Sequence, residues 1–257
     1  MSKKKVVAFV PARMAASRFP GKPLAPILGI PMIEHVRRRV ALAEIVDEVV
    51  VATCDQEIMD TVIAAGGRAV MTKDTHERCT DRIAEAATKI DCDIAIQVQG
   101  DEPLFMPEVL TDVVAPFLKD PDVKCTNLLS VINDKADLQD IDIIKTVLDT
   151  QGRVMYFSRS PIPYFRVDAP CPMRRQTGVA AFTRDFLLKF TALPPSPLEV
   201  VESIDLLRIL AHGYPIHGVV CEELTVGVDR PGDVAKIEHL LQEDARQREL
   251  FRRMMAA

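Results

Sequence analysis

The stretch Val6–Leu24, VVAFVPARMAASRFPGKPL, decides the fold. It opens as an apolar run that reads as a buried strand and passes directly into a loop carrying Arg13, Arg18 and Lys22. Open α/β sheets place ligands at the carboxyl ends of their strands, and a loop there also lies near the positive end of the following helix. Three cations over one short turn invite a polyanion. Gly21 is the only glycine in the stretch, and Pro11, Pro20 and Pro23 stiffen its backbone. Neither the dinucleotide pattern G-x-G-x-x-G nor the phosphate-loop pattern G-x-x-x-x-G-K-[ST] is therefore present. Side-chain charge, rather than a cradle of backbone amides, has to hold most of the phosphate.

Outward from this stretch the pattern alternates. Pro31–Ala43 places Ile33, Val36 and Val40 at helical spacing, with Arg37, Arg38 and Arg39 expected on a solvated face. Val49–Thr53 reads as a strand, Gln56–Ala65 as a helix ended by Gly66-Gly67, and Arg68–Met71 as a third strand, which makes βαβαβ, half of a doubly wound sheet. A polar loop, Lys73–Thr80, precedes a helix over Asp81–Ile90; His76 in that loop is expected in solvent. Asp93–Val98 is a near-continuous apolar strand of the kind found at a sheet centre, and it ends in Gln99-Gly100-Asp101-Glu102-Pro103. A helix from Pro107 to Leu118 and a strand over Lys124–Val131 follow. Residues 133–172 break into short pieces, Ile144–Leu148 and Met155–Phe157 among them, with a solvated Lys145. Further on, Gly178–Phe182 reads as a strand and Asp185–Phe190 as a short helix. Ser196-Pro197-Leu198-Glu199 is a capping box opening a helix to His212. Strands over Ile216–Cys221 and Thr225–Val228 precede one terminal helix, Pro231 to about Phe251, with Val234, Ile237, Leu240 and Leu241 facing inward.

The 257 residues are 48% hydrophobic, enough for one large α/β domain over 1–257, with residues 133–215 containing an excursion off the sheet. A net charge of −5 supplies no basic field for nucleic acid. The apolar run after the basic Met1–Lys5 is too short for a signal segment, and no later stretch could span a bilayer, so a cytoplasmic place is expected. Cys54, Cys79, Cys92, Cys125, Cys171 and Cys221 show neither C-x-x-C nor zinc spacing and are expected as reduced thiols.

Asp101 and Asp229 each follow an apolar stretch, in QVQGD and TVGVD. If both stretches are parallel neighbours of the first strand, the two carboxylates open on the same sheet edge as Arg13, Arg18 and Lys22. Carboxylates beside a phosphate-binding loop suit Mg²⁺, which takes one or two protein oxygens plus phosphate oxygens and water. An Asx turn at Asp101 and a helix-start role for Asp229 are the plainer alternatives. No nucleophile elbow supports a Ser/His/Asp hydrolase.

Six ordered motifs are then on the page: P-A-R-x-x-[AS]-[ST]-R-x-P-G-K-P-L from Pro11, T-D-R-[IL]-A-E from Thr80, Q-G-D-E-P from Gln99, Y-F-S-R-x-x-I-P from Tyr156, P-[ST]-P-L-E from Pro195 and G-V-D-x-P from Gly227. Together they resemble the CMP-Kdo synthetases (3-deoxy-manno-octulosonate cytidylyltransferases) across nearly the whole chain. The resemblance implies a mostly parallel, Rossmann-like nucleotidyltransferase sheet, an excursion used for homodimerisation, CTP as substrate, and Mg²⁺-dependent attack of a sugar-acid hydroxyl on the α-phosphate with release of pyrophosphate. It places Arg13 and the backbone of Pro11 and Ala12 near cytosine, with Thr80 also on the nucleotide. Arg18 and Lys22 would hold the triphosphate; Arg82, Gln99 and Asp101 would line the α-phosphate and acceptor, and Asp101 and Asp229 would hold the metal. Arg18, Lys22 and Asp101 are thereby the implied catalytic set, and Arg78, Gln176, Ala180, Glu199 and Glu202 fall on the acceptor side.

Two departures lie on that acceptor side. The family's H-x-G-x-Y is here Gln176-Thr177-Gly178-Val179-Ala180, and its S-G-T-[DE]-R is Arg78-Cys79-Thr80-Asp81-Arg82. Loss of a tyrosine removes volume and a hydroxyl, and an added arginine favours an oxyanion. The expected acceptor is Kdo or a related sugar acid; another acid such as a phosphonate is the alternative. A nucleotide-binding regulatory protein without turnover is the alternative class. A sugar-nucleotide glycosyltransferase would need a D-x-D-like pair, which Gln99-Gly100-Asp101 lacks.

Overall fold

The apolar run that opens the chain becomes β1 (Val6–Ala12), every residue of which is buried, in a computed structural model that describes residues 3–15, 18–222 and 227–256. A 3-10 turn at Lys22–Leu24 and a short hairpin, β2 (Pro26–Ile27) and β3 (Ile30–Pro31), lead to α1 (Met32–Ala41). Next come β4 (Glu48–Thr53), α2 (Gln56–Ala64), β5 (Arg68–Met71), α3 (Cys79–Lys89), β6 (Ile94–Gln97) and α4 (Val109–Lys119). The later chain forms β7 (Cys125–Val131), β8 (Lys145–Leu148), β9 (Val154–Ser158), β10 (Arg174–Thr183), α5 (Arg184–Thr191), α6 (Pro197–Glu202), α7 (Leu206–Ala211) and β11 (His217–Cys221). Two helices, α8 (Asp233–Glu243) and α9 (Ala245–Ala256), close it. Two compact units result, residues 1–111 with 225–257, and residues 112–224.

The first unit holds a wholly parallel sheet in the order β6-β1-β4-β5. The chain proceeds from β1 to β4 and β5 on one side and then returns to place β6 on the other side of β1. Direction therefore reverses between β1 and β6, and a crevice at the carboxyl ends of strands is expected at that switch. The strands are apolar along their lengths, with Glu48, Thr53, Arg68 and Gln97 only at their ends, as a sheet covered on both faces requires. A buried cluster of Ile27, Met32, Leu104, Val228, Ile237 and Leu241 packs the hairpin, α1 and α8 together, with Phe19, Val234, Leu240 and Phe251 at its margin. It also fixes the two segments that flank Asp101 and Asp229.

Several expectations change here. Arg39 is not on a solvated face: it is fully buried, and its Nη1 donates to Phe105 O at 3.2 Å and Gln247 Oε1 at 2.7 Å. Arg37 and Arg38 both pair with Glu34. The terminal helix is two helices, because Asp244 turns extended and its Oδ1 accepts the Gln247 amide at 2.8 Å, starting α9 afresh. The helix expected from Pro107 begins at Val109. Of the strand expected at Thr225–Val228, Thr225 and Val226 lie outside the described residues, and Gly227 and Val228 form no strand, although the Val228 amide donates to Asp101 O at 2.9 Å.

In the second unit β7 pairs in parallel with β11 and antiparallel with β10, while β8 pairs with both β10 and β9. The excursion expected over residues 133–215 is thus partly sheet: β10 is a ten-residue strand, twice the expected length, with a register shift between Gln176 and Ala180. The capping box forms as expected, Ser196 Oγ accepting the Glu199 amide at 3.1 Å, but its helix stops at Glu202, where Ser203 turns left-handed at φ 55°. Lys145 is buried rather than solvated, and its Nζ donates to the carbonyls of Asp140 and Ile143 at 2.7 Å and to that of Arg159. All six cysteines are free thiols.

Candidate active site

Two loops meet at the β1/β6 switch, and two glycines allow it. Beyond β1 the Met14 amide donates to Asp55 Oδ2 at 2.8 Å, and Met14 O accepts the Gly21 amide at 3.0 Å. The loop is thereby folded back so that Lys22 returns to the end of the strand it left. Gly21 makes the reversal at φ 75°, where a side chain would be strained. Beyond β6, Gly100 lies directly on β1: a Cβ there would stand 2.9 Å from Pro11 O. Only glycine lets Asp101 follow so closely behind that strand.

The result is a cavity of about 260 Å³. Pro11, Ala12 and Arg13 form one part of its wall, Arg18 and Lys22 a second, and Gln99, Asp101 and Asp229 a third. Lys22 Nζ donates to Asp101 Oδ2 at 2.6 Å and to Val228 O at 2.8 Å. Arg18 Nη2 donates to Asp229 Oδ1 at 2.8 Å. Asp101 and Asp229 therefore belong to one cavity, although Asp229 reaches it from an irregular segment held by Val228 and not from a strand tip. Its backbone amide is fixed by Asp233 Oδ2 at 2.9 Å, at the start of α8.

A further wall comes from the β5–α3 loop and the start of α3, with His76, Arg78, Cys79 and Arg82. Cys79 Sγ donates to Gln99 Oε1 at 3.4 Å. Arg82 is 3% exposed, and its Nη1 bonds to Thr72 Oγ1 at 2.6 Å and Lys73 O at 3.2 Å, so much of its guanidinium braces the loop root. Thr80 is buried and does not line the cavity. His76, expected in solvent, lines the cavity with Nε2 2.6 Å from Glu85 Oε2. The sequence carried little sign of this: a histidine in a polar loop, nine residues before a glutamate on the next helix.

The remaining acceptor-side residues belong to the second unit. Glu199 is buried, closes the capping box and accepts from Arg208 Nε at 2.7 Å and Nη2 at 2.5 Å. Glu202 accepts Ser158 Oγ at 2.8 Å and the Arg159 amide at 2.9 Å. Ala180 is 2% exposed, and Gln176 has a buried Oε1. Glu199 and Glu202 thus brace their own unit.

For a metal, the cavity offers the carboxylates of Asp101 and Asp229, with Glu77 elsewhere on its wall, and no group of three or more His, Cys, Asp or Glu side chains that could hold an ion exists among the described residues. An all-protein cage of the calcium or zinc kind is thereby absent from them. Two hard oxygen donors beside fixed cations fit Mg²⁺, which completes its shell with phosphate oxygens and water.

A doubly wound sheet whose switch-point crevice joins phosphate-suited cations to two carboxylates defines a nucleotidyltransferase of the α/β class. The family model described as Cytidylyltransferase matches residues 7–221. The chain belongs to the cytidylyltransferase family. It is 42% identical over 244 residues to a 3-deoxy-manno-octulosonate cytidylyltransferase of Geobacter metallireducens, covering 91% of this chain and 96% of that one. The same-named protein of Syntrophotalea carbinolica is 43% identical over 242 residues, covering 91% and 97%. A solved structure of CMP:2-keto-3-deoxy-manno-octonic acid synthetase complexed with CTP superposes with a TM-score of 0.89 at 37% identity, covering 93% of this chain and 99% of that chain.

Proposed function

We propose that this cytidylyltransferase moves CMP from CTP to the hydroxyl of the sugar acid Kdo, releasing pyrophosphate. The observation that carries the reading is the convergence of the Lys22–Asp101 and Arg18–Asp229 pairs on one cavity at the switch point. Nucleotidyl transfer needs an in-line approach, neutralised phosphate charge and a stabilised leaving group, which positioning and electrostatics supply. Arg18 and Lys22 bind the triphosphate and take up charge on the departing pyrophosphate. Pro11, Ala12 and Arg13 seat the base, and Gln99 and Arg82 orient the α-phosphate. Asp101 and Asp229 would hold Mg²⁺, whose chemistry there is to polarise the α-phosphoryl group and ease ionisation of the acceptor hydroxyl.

Incubation with CTP, Mg²⁺ and a panel containing Kdo, other sugar acids and a phosphonate tests this by pyrophosphate release. Release with Kdo above all others is the expected result. Release with another acid alone would reassign the acceptor, and CTP binding without any product would favour a regulatory protein.

A homodimer formed through the second unit belongs to the same reading. Val200, Val201, Met155 and Tyr164 are 65%, 85%, 63% and 87% exposed there, large apolar side chains that association would cover. Sedimentation is expected to give twice the chain mass, and Val201→Asp to shift it toward one. Free thiols and a nucleoside triphosphate substrate support a cytoplasmic place.

A further inference from the structure

The loop between β5 and α3 is built around one carboxylate. Glu85, on the second turn of α3, accepts the Lys73 amide at 2.9 Å at the start of the loop, the His76 ring at 2.6 Å in its middle, and Lys89 Nζ at 2.8 Å. Lys73 O is taken by Arg82, so α3 holds Lys73 at both its amide and its carbonyl. Burial opposes the charge on Glu85, but the Lys73 amide, Lys89 and His76 outweigh it and bring the carboxyl down to about 2.

An ionised carboxylate only accepts, so the His76 nitrogen facing it, Nε2, is the donor. In the neutral ring the proton is then on Nε2 and the lone pair on Nδ1. The nitrogen remaining for a ligand is an acceptor, on a residue that lines the nucleotide cavity. Besides the carboxylates of Glu77, Asp101 and Asp229, the surrounding wall carries the donors Arg18, Lys22 and Arg78, suited to phosphate. An acceptor among them suits a different part of the ligand.

We infer that His76 contacts the nucleotide directly, its Nδ1 accepting a hydrogen bond from an N–H or O–H donor of bound cytidine; the inference rests on the cytidylyltransferase reading. Two parts of the ligand carry such donors, the exocyclic amino group of cytosine and the ribose hydroxyls. The amino group would make His76 a determinant of CTP over UTP, because uracil presents a carbonyl at that position.

Equilibrium titration of the full chain with CTP in magnesium buffer tests it. His76→Gln keeps an amide donor near the Nε2 position for Glu85 and removes the Nδ1 acceptor. His76→Asn does the reverse, placing an amide oxygen near Nδ1 and giving up Glu85. His76→Gln is expected to weaken CTP ~10-fold at an unchanged melting temperature, and His76→Asn to keep more affinity than His76→Gln despite a lower melting temperature. The His76→Gln penalty should vanish with UTP if the amino group is the donor, or with 2′-deoxy-CTP or 3′-deoxy-CTP if a hydroxyl is. Wild-type affinity in His76→Gln, a penalty equal for every nucleotide, or equal weakening of both variants would overturn the contact. A wild-type chain that binds no CTP would instead overturn the cytidylyltransferase reading beneath it.

Discussion

Lys22 and Asp101 restrain one another at 2.6 Å, and that pair would be exchanged when nucleotide arrives. A triphosphate offers Lys22 several anionic oxygens, and a magnesium ion offers Asp101 a denser charge than an ammonium. Under the proposed function the pair would keep both groups oriented until phosphate and metal arrive. Arg18 and Asp229 stand in the same relation, though about half exposed, where the pair itself contributes little to stability. Asp101→Asn keeps the side chain's shape and removes the charge, and it is expected to lower turnover at least ~100-fold, as loss of one transition-state contact does. Lys22→Ala should do the same, and pyrophosphate release under saturating CTP measures both; rates near wild type would remove these residues from the reacting centre. The place of Lys22 and Asp101 in one cavity was legible because Lys22 lies on the loop that leaves the apolar β1 and Asp101 follows closely on β6, where pattern alone places a ligand loop. His76 and Lys145 were not, because what buries a polar side chain is a partner found only once the chain has folded.

Helix α9 shows the same limit at the level of elements. Its residue Gln247 accepts from Arg39 on α1 and donates from Nε2 to Leu104 O at 3.1 Å, while Arg39 also reaches Phe105 O. Two elements remote in sequence thereby hold the carbonyls just downstream of Asp101. Burial lowers the Arg39 pKa to about 10, against the pull of Glu108, and its Nε and Nη2 are buried with no hydrogen-bond partner. A buried charge of this kind is costly to leave with fewer partners. Gln247→Leu is therefore expected to destabilise by ~2–3 kcal/mol. Arg39→Met, which removes the charge itself, should make the second substitution much cheaper, with a coupling of at least ~1 kcal/mol in a double-mutant cycle read by urea unfolding. Additive effects would separate the two residues. The periodicity of residues 231–251 did show which positions face inward, since Ile237 and Leu241 are buried. It could not show the break at Asp244, because an extended residue that caps the next helix leaves an apolar repeat nearly unchanged.

For the molecule as a whole, acid should act unevenly on the two units. His35 in α1 is fully buried, bonds through Nε2 to Ile27 O at 2.7 Å and stacks on Phe251 of α9 with ring centroids 5.6 Å apart. Burial is the main cause that lowers its pKa from 6.5 to about 4, with Arg39 and Arg38 adding to the effect against the Ile27 bond. Below pH 6.5 the unfolded chain takes up this proton and the folded one does not, so stability is lost as the pH falls toward 4, by at most ~3 kcal/mol. Glu85 then contributes a second loss, since its carboxyl stays charged in the fold from 4.5 down to about 2. Both groups lie in the first unit. The three tyrosines, Tyr156, Tyr164 and Tyr214, all lie in the second, and the chain has no tryptophan. Near-ultraviolet tyrosine signal thus reports one unit, while amide exchange resolved by peptide reports both. Lowering the pH from 6.5 to 4 is expected to release protection in α1 and α9 before the tyrosine signal changes. His35→Leu should flatten that early loss and leave the later one in place. Simultaneous loss of both signals, unaltered in His35→Leu, would mean that the buried ring does not set the acid limit.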